Sequence, residues 1–229
     1  MKKALLIMLA ITMAVACSFT IKNKVIRGNG VETTCIYDLP PFTAIHVAGS
    51  MDVFYTQGPQ AVSLTADENL MEIYTIEVVE STLKIGVKSG YSIFPKAKTF
   101  ITVSTDDLNG IKLAGSGECD IKGTLDTRGD FIFSIAGSGD LDADAIICKN
   151  FSSKVNGSGD IEVKALTAET TTLTINGSGD MVINCKDAGD IIAKINGSGD
   201  IALSGKARSL TQKVNGSGDI STRGLQLGL

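Results

Sequence analysis

The chain has 229 residues, with 21 lysines and arginines against 25 aspartates and glutamates, one histidine, five cysteines and no tryptophan. A formal net charge of −4, with the cations scattered singly along the chain, excludes the basic patch of a nucleic-acid binder. One histidine and no C-x-x-C pair leave no zinc signature, while the length suits one domain with a sizeable core.

In chain order, residues 1–16 come first. Lys2 and Lys3 precede an unbroken apolar or small run from Ala4 to Ala16. That run is shorter than the roughly 20 residues a spanning helix needs, and it has the length of a secretory apolar region. AVAC, Ala14–Cys17, reads as a lipoprotein-type signal peptide ending at an acylated Cys17, with small-residue A-x-A cleavage as the alternative. Either route exports the chain. Residues 17–24 then form a tether, and 25–229 a single domain. Ser18 after the cysteine points to an outer-membrane lipoprotein, on the periplasmic face or the cell surface, with a soluble periplasmic or secreted protein as the alternative. Four further cysteines, Cys35, Cys119, Cys148 and Cys185, carry no spacing that assigns disulfides, and export permits them. Cys119 occupies an apolar slot of the repeat described below.

Residues 25–105 read as irregular β structure. Thr43–Gly58 alternates on either side of a turn, and Pro40-Pro41 interrupts pairing just before it. Ala61–Leu70 is a strand leading into a short helical turn at Glu68–Ile73. Ile76–Gly90 is a hairpin turned at Glu80–Thr82, and Lys98–Leu108 leads into the repeat.

Residues 111–224 repeat one phrase. GSG recurs with its first glycine at 115, 137, 157, 177, 197 and 216, at intervals of 22, 20, 20, 20 and 19, and His46–Tyr55 is a degenerate earlier copy. A fixed period of this length is the mark of stacked repeats. The residues after each GSG alternate as strands do, and glycine at every corner suits neither a helix nor a helical pair. The expectation is all-β: a parallel β-helix, or β-solenoid, with ~20-residue coils and an irregular β N-terminal half. Three apolar columns follow from stacking the copies: Cys119, Leu141, Ile161, Met181, Ile201, Ile220; Ile121, Ala143, Val163, Ile183, Leu203, Thr222; and Leu113, Ile135, Val155, Ile175, Ile195, Val214. Parallel coils stack about 4.8 Å apart, so six copies make a rod about 30 Å long. The tail Gly224–Leu229 is expected to cover the last coil's open edge.

Two polar columns remain. Asn156, Asn176, Asn196 and Asn215 form a structural turn ladder, as a residue that tolerates left-handed backbone and stacks on itself, and both glycines are expected at positive φ. Asp140, Asp160, Asp180, Asp200 and Asp219 form the candidate ligand or ion edge, with Glu118 and Asp52 in the matching slots of weaker copies. Adjacent carboxylates ~5 Å apart repel by ~0.8 kcal/mol in water and ~3 kcal/mol at an effective dielectric of 20. Three reliefs are open: backbone N–H donors of each aspartate's own corner in an Asx-type turn; the flanking Lys112, Lys154, Lys194 and Lys213; or Ca²⁺ between coils. No cofactor is expected otherwise, and no metal is assigned beyond that Ca²⁺ alternative.

RGNG at Arg27–Gly30, PPFTAIHVAGSMDVFYTQG, ADENLMEIYTIEV, LKIGVKSG and the train of GSGD corners together resemble the putative auto-transporter adhesin, head GIN domain family. The resemblance spans about Gly28 to Gly224. It implies an exported β-helical domain found widely in Bacteroidetes, and it brings no catalytic residues. The leading expectation is a non-enzymatic adhesin or surface-binding module of the cell envelope that meets a glycan or surface protein. A structural or envelope-assembly lipoprotein, self-associating and without a soluble ligand, is the alternative. A polysaccharide-acting β-helix enzyme is the third, and it lacks the two focused carboxylates such chemistry uses. Nucleic acid is not expected as a partner, nor membrane except through a lipid anchor. His46, beside a turn in a strand, reads as a surface residue. Ser of GSG has the wrong spacing for a nucleophile elbow.

Overall fold

The computed structural model describes residues 23–228, so the signal segment and Cys17 lie outside the described residues. Strands make up 68% of the chain and helix 3%, which establishes the all-β solenoid. The chain enters through β1 (Lys24–Arg27), β2 (Glu32–Tyr37), β3 (Ala44–Gly49) and β4 (Asp52–Gln57). An excursion follows through β5 (Ala61–Asp67), the expected short turn at Glu68–Ile73, β6 (Tyr74–Val79), β7 (Thr82–Val87), β8 (Tyr91–Phe94) and β9 (Phe100–Thr105). The hairpin between β6 and β7 turns through Glu80 and Ser81, both left-handed at φ 50° and 58°, as a tight two-residue connection requires.

Regular winding begins at β10 (Gly110–Gly115) and β11 (Glu118–Asp126). It continues through β12 (Asp130–Gly137), β13 (Asp140–Ile147), β14 (Asn150–Gly157), β15 (Ile161–Thr167), β16 (Thr170–Gly177), β17 (Met181–Asp187), β18 (Asp190–Gly197) and β19 (Ile201–Ala207). The last coil is β20 (Ser209–Gly216), β21 (Ile220–Ser221) and β22 (Leu225–Leu227). Even-numbered strands from β10 to β20 stack into a nine-stranded sheet, continued by β3, β7 and β6. Their odd-numbered partners stack into an eleven-stranded sheet, continued by β4, β9, β5 and β2.

The degenerate copy is a true coil. His46 registers with Lys112 and Val53 with Cys119, so β3 and β4 lie directly beneath β10 and β11. Spatial order then departs from chain order: β7 and β9, written after β3 and β4, pair beneath them. The excursion between β4 and β10 thus builds the bottom of the stack. There β6 runs antiparallel to β7, β5 antiparallel to β9 and β2 antiparallel to β5, which closes this end.

The three apolar columns form as expected. Cys119 through Ile220 pair in register up the eleven-stranded sheet, and Leu113 through Val214 up the nine-stranded one. Members from Cys119 to Ile201 are at most 1% exposed, while Val214 in the end strand is 40% exposed. The second column stops at Leu203, since Thr222 lies past the end of β21 and pairs with nothing there. The tail corrects one expectation. Instead of folding over the end, β22 extends the last coil by pairing parallel with β19, Gly205 opposite Leu225. The edge of β20 stays open. All four described cysteines are free thiols; Cys119 and Cys185 lie in the core, and burial pushes the Cys185 thiol up to about 11.

The closed end explains RGNG and ADEN together. Asp67 is fully buried, and its carboxylate accepts N–H bonds from Gly30 (2.6 Å), Lys96 (2.8 Å) and Ala97 (3.1 Å). A Cβ at Gly28 would stand 2.3 Å from that carboxylate, so only glycine fits. Asn69 ties the same loop down: its Oδ1 accepts from Asn29 N–H, and its Nδ2 donates to the Arg27 carbonyl, both at 2.9 Å. Burial alone would raise the Asp67 pKa, but the three backbone donors outweigh it and hold the group below its ordinary value. A carboxylate depressed in the folded state stabilises above its unfolded pKa, and that contribution is lost as pH falls through the folded value. Acidification from pH 5 toward pH 2 should therefore expose the Lys96 and Ala97 amides to hydrogen exchange before the coils open. Asp67→Asn should remove that acid sensitivity; acid-stable protection of both amides in the native chain would contradict this account.

Candidate functional site

The GSGD corner joins each strand of the nine-stranded sheet to its partner in the eleven-stranded sheet. Its first glycine is left-handed at every repeat, φ 140–149°. The second glycine is not among the positive-φ residues, which corrects the expectation that both serve that purpose. What demands glycine at both positions is the coil beneath. A Cβ on Gly177 would lie 2.0 Å from the Gly157 carbonyl oxygen, and one on Gly179 2.0 Å from that of Gly159. The degenerate copy proves the rule by carrying Met51 in the second slot. No corner lies beneath it, and Gly49 has nothing within 4 Å of an added Cβ.

The asparagines end strands of the nine-stranded sheet, and none has positive φ, so their tolerance of left-handed backbone is unused. They do stack on one another: Asn176 Nδ2 donates to Asn156 Oδ1, Asn196 to Asn176 and Asn215 to Asn196, each at 2.9 Å.

The aspartates form the predicted column, relieved in a way different from the Asx turn. Each Oδ1 accepts the backbone N–H of the aspartate one coil on: Asp160 to Asp140 at 2.8 Å, then Asp180 to Asp160, Asp200 to Asp180 and Asp219 to Asp200 at 2.7 Å. Glu118 N–H bonds Asp52 Oδ1 at 3.0 Å in the same manner. A donor from the neighbouring coil sits at each carboxylate from Asp140 to Asp200, which partly offsets the repulsion along the row, and every member from Asp140 to Asp219 stays exposed to water. The flanking lysines are not the relief. Ion pairs among the described residues are Lys122–Asp120 at 3.1 Å, Lys164–Asp144 at 3.0 Å, and Arg208–Asp190.

Carboxylates converge one row away from the ladder. Oxygens of Glu118, Asp120 and Asp142 lie within 4.8 Å of one another. Glu118 has its pKa raised, first by burial and then by the negative charges of Asp120, Asp142, Asp52 and Asp140. Ca²⁺ takes six to eight oxygens, whereas this trio contributes three side chains, and Lys122 already neutralises Asp120. Asp120 and Asp142 are the residues a reading of the GSGD phrase alone misses; they sit two positions after the ladder, on the same outward side of the strand. A further ladder at the opposite corner was also not legible: Asn150 Nδ2 donates to Asp130 Oδ1 and Thr170 Oγ1 to Asn150 Oδ1, both at 2.6 Å.

His46 is half-buried on the outward face of the nine-stranded sheet, registered between Lys84 and Lys112. Burial first, then the two ammonium groups, hold its pKa below the ordinary value, so the ring is neutral at pH 7.

Solved structures share this architecture. One described as a putative adhesin from Bacteroides fragilis is 21% identical with a TM-score of 0.70, over 86% of this chain and 99% of that one. A putative lipid binding protein from Parabacteroides distasonis is 25% identical with a TM-score of 0.65, over 87% and 99%. A putative adhesin from Parabacteroides merdae is 23% identical with a TM-score of 0.56, over 86% and 98%. At such identities the likeness speaks for the fold. No curated protein matches the chain. Residues 41–165 and 156–228 match the family described as putative auto-transporter adhesin, head GIN domain, and the chain belongs to that family.

Proposed function

We propose that this chain is a non-enzymatic adhesin, an exported module that binds a glycan or protein at a surface through the ladder-bearing side of its solenoid. The observation that carries it is repetition in space. Identical polar side chains recur from coil to coil on rigid, exposed rows, as the asparagine ladder does at a uniform 2.9 Å. Such rows suit an extended partner, and stacked repeats elsewhere use their long faces in this way. Membership of an adhesin family supports export and surface binding. Acylation of Cys17 and retention at the outer membrane belong to this proposal, as does the division into signal, tether and single domain.

A lipid-binding reading draws on the Parabacteroides distasonis relative's description. The cavity beneath the first corner, lined by Met51, Tyr74, Val87 and Ile93, measures about 240 Å³. Small-molecule sites run roughly 300–1,000 Å³, so surface binding is the better reading.

The test is an array of glycans and matrix proteins probed with the purified chain, in Ca²⁺ and again in EDTA. A specific hit is expected in both. If Asp160→Asn, Asp180→Asn and Asp200→Asn combined leave the hit intact, the aspartate edge is a stacking device and not the contact. Silence throughout would favour the structural lipoprotein.

A further inference from the structure

Lysines scattered in the sequence are gathered by the coil period into one line. Up the outward face of the nine-stranded sheet the registered residues are Lys84, His46, Lys112, Ser134, Lys154, Thr174, Lys194 and Lys213. None of these lysines belongs to an ion pair among the described residues. The one acid registered beside the line is Glu77, opposite Lys84 at the closed end. The opposite sheet carries Glu118, Asp120, Asp140, Asp142, Asp160 and Glu162 outward. The eleven-stranded sheet is therefore the more acidic face, although Lys122, Lys164, Lys186 and Lys206 also lie on it. The nine-stranded sheet carries an unpaired lysine line with Asp130 and Asp190 four residues before it, Asp190 being paired with Arg208.

Taking the adhesin reading as its basis, we infer that this line binds an acidic linear polysaccharide lying along the rod, with one carboxylate or sulfate per disaccharide. Spacing selects the ligand. Lys112, Lys154 and Lys194 occupy every second strand, so their charges recur about every 9.6 Å at a strand spacing of about 4.8 Å. That repeat is the length of a disaccharide. Duplex DNA presents a charge per ~1.7 Å of axis, far denser than the line can match, and single strands want aromatic stacking platforms, which this row does not contain. The flanks suit sugar. The asparagine ladder runs two residues further along each strand from Lys154, Thr174, Lys194 and Lys213, and offers amides. On the other side Ile132 and Ile192, 56% and 40% exposed, offer apolar contact for ring C–H faces. At the closed end the line opens onto a shallow depression of about 400 Å³ lined by Ala44, His46, Lys84, Gly110, Lys112 and Ile132. The carboxylate rows of the eleven-stranded sheet repel the same polymer and so favour this face over that one.

The experiment is calorimetric titration of the purified full chain with hyaluronan fragments, dextran of equal length, and duplex DNA. Hyaluronan should bind, weakening as salt rises, while dextran does not bind. Combined Lys112→Gln, Lys154→Gln and Lys194→Gln should weaken hyaluronan about tenfold, and the matching lysine-to-arginine triple should keep it. Undiminished binding by the glutamine triple, equal binding of dextran, or tighter binding of DNA would each overturn the inference. No hyaluronan binding together with a hit on the array described above would reject this ligand and leave the adhesin reading standing. Silence in both would reject both.

Discussion

Alanine at Gly177 lowers the thermal midpoint of unfolding by about 12 °C. Two effects add. Holding alanine at φ +144° costs roughly 1–3 kcal/mol. Its Cβ, 2.0 Å from the Gly157 carbonyl oxygen, forces two coils apart for roughly another 1–3 kcal/mol. For a chain of this size each kcal/mol moves the midpoint about 2–4 °C. Gly49→Ala separates the two effects, because Gly49 shares the positive φ, at +121°, but faces nothing within 4 Å; it should show about half the loss. Scanning calorimetry of both variants decides. Equal losses would mean that backbone strain alone, without close coil packing, fixes glycine at these corners. Because each coil is held only by its neighbours, the Gly177 variant should also split or broaden the transition as the two halves of the rod melt separately.

Phe151→Ala is the second large effect, a loss of about 3–5 kcal/mol. Phe151 is 1% exposed, and its ring stacks on Phe131 with centroids 6.3 Å apart and planes 15° from parallel. Deleting it opens a gap between rigid coils whose separation is set by backbone hydrogen bonds, so the walls have little freedom to close. Phe54, 37% exposed and touching Phe100 edge-on at 5.6 Å, is the contrast and should cost about 1 kcal/mol or less. Urea denaturation of both variants checks this. A loss below about 1.5 kcal/mol at Phe151 would show that the coils do collapse onto the gap.

The regular half was legible because a single period writes every coil. Once GSG recurs near every twenty residues, the three apolar columns and both polar ladders follow by alignment, and each forms in register. What alignment does not carry is direction across the gap between coils. The aspartate partner is the next coil's N–H and not its own corner's, a distinction of a few ångströms that the sequence writes identically either way. The second glycine misled for a related reason. Glycine marks both positive φ and close approach, and the phrase contains one of each. The irregular half was harder still. Local patterns placed the strands, the short turn and the hairpin, yet nothing local says that β7 and β9 go beneath β3 and β4. Nor does anything local join Gly28 to Asp67, which meet across 39 positions of chain. The cation line was hidden by counting charges along the chain, where they are sparse, in place of along the rod.

The two ends of the stack differ in kind, and this gives the molecule a polarity like that of a growing filament. At one terminus reversed strands and the Asp67 clasp stop elongation. At the other, β20 presents the same parallel edge that every earlier coil presented to its successor. One more twenty-residue phrase added there would find its neighbour already built and disturb nothing below. Rod length is thus a modular quantity, set by the number of phrases, while the clasped end is fixed machinery that any such lengthening inherits unchanged.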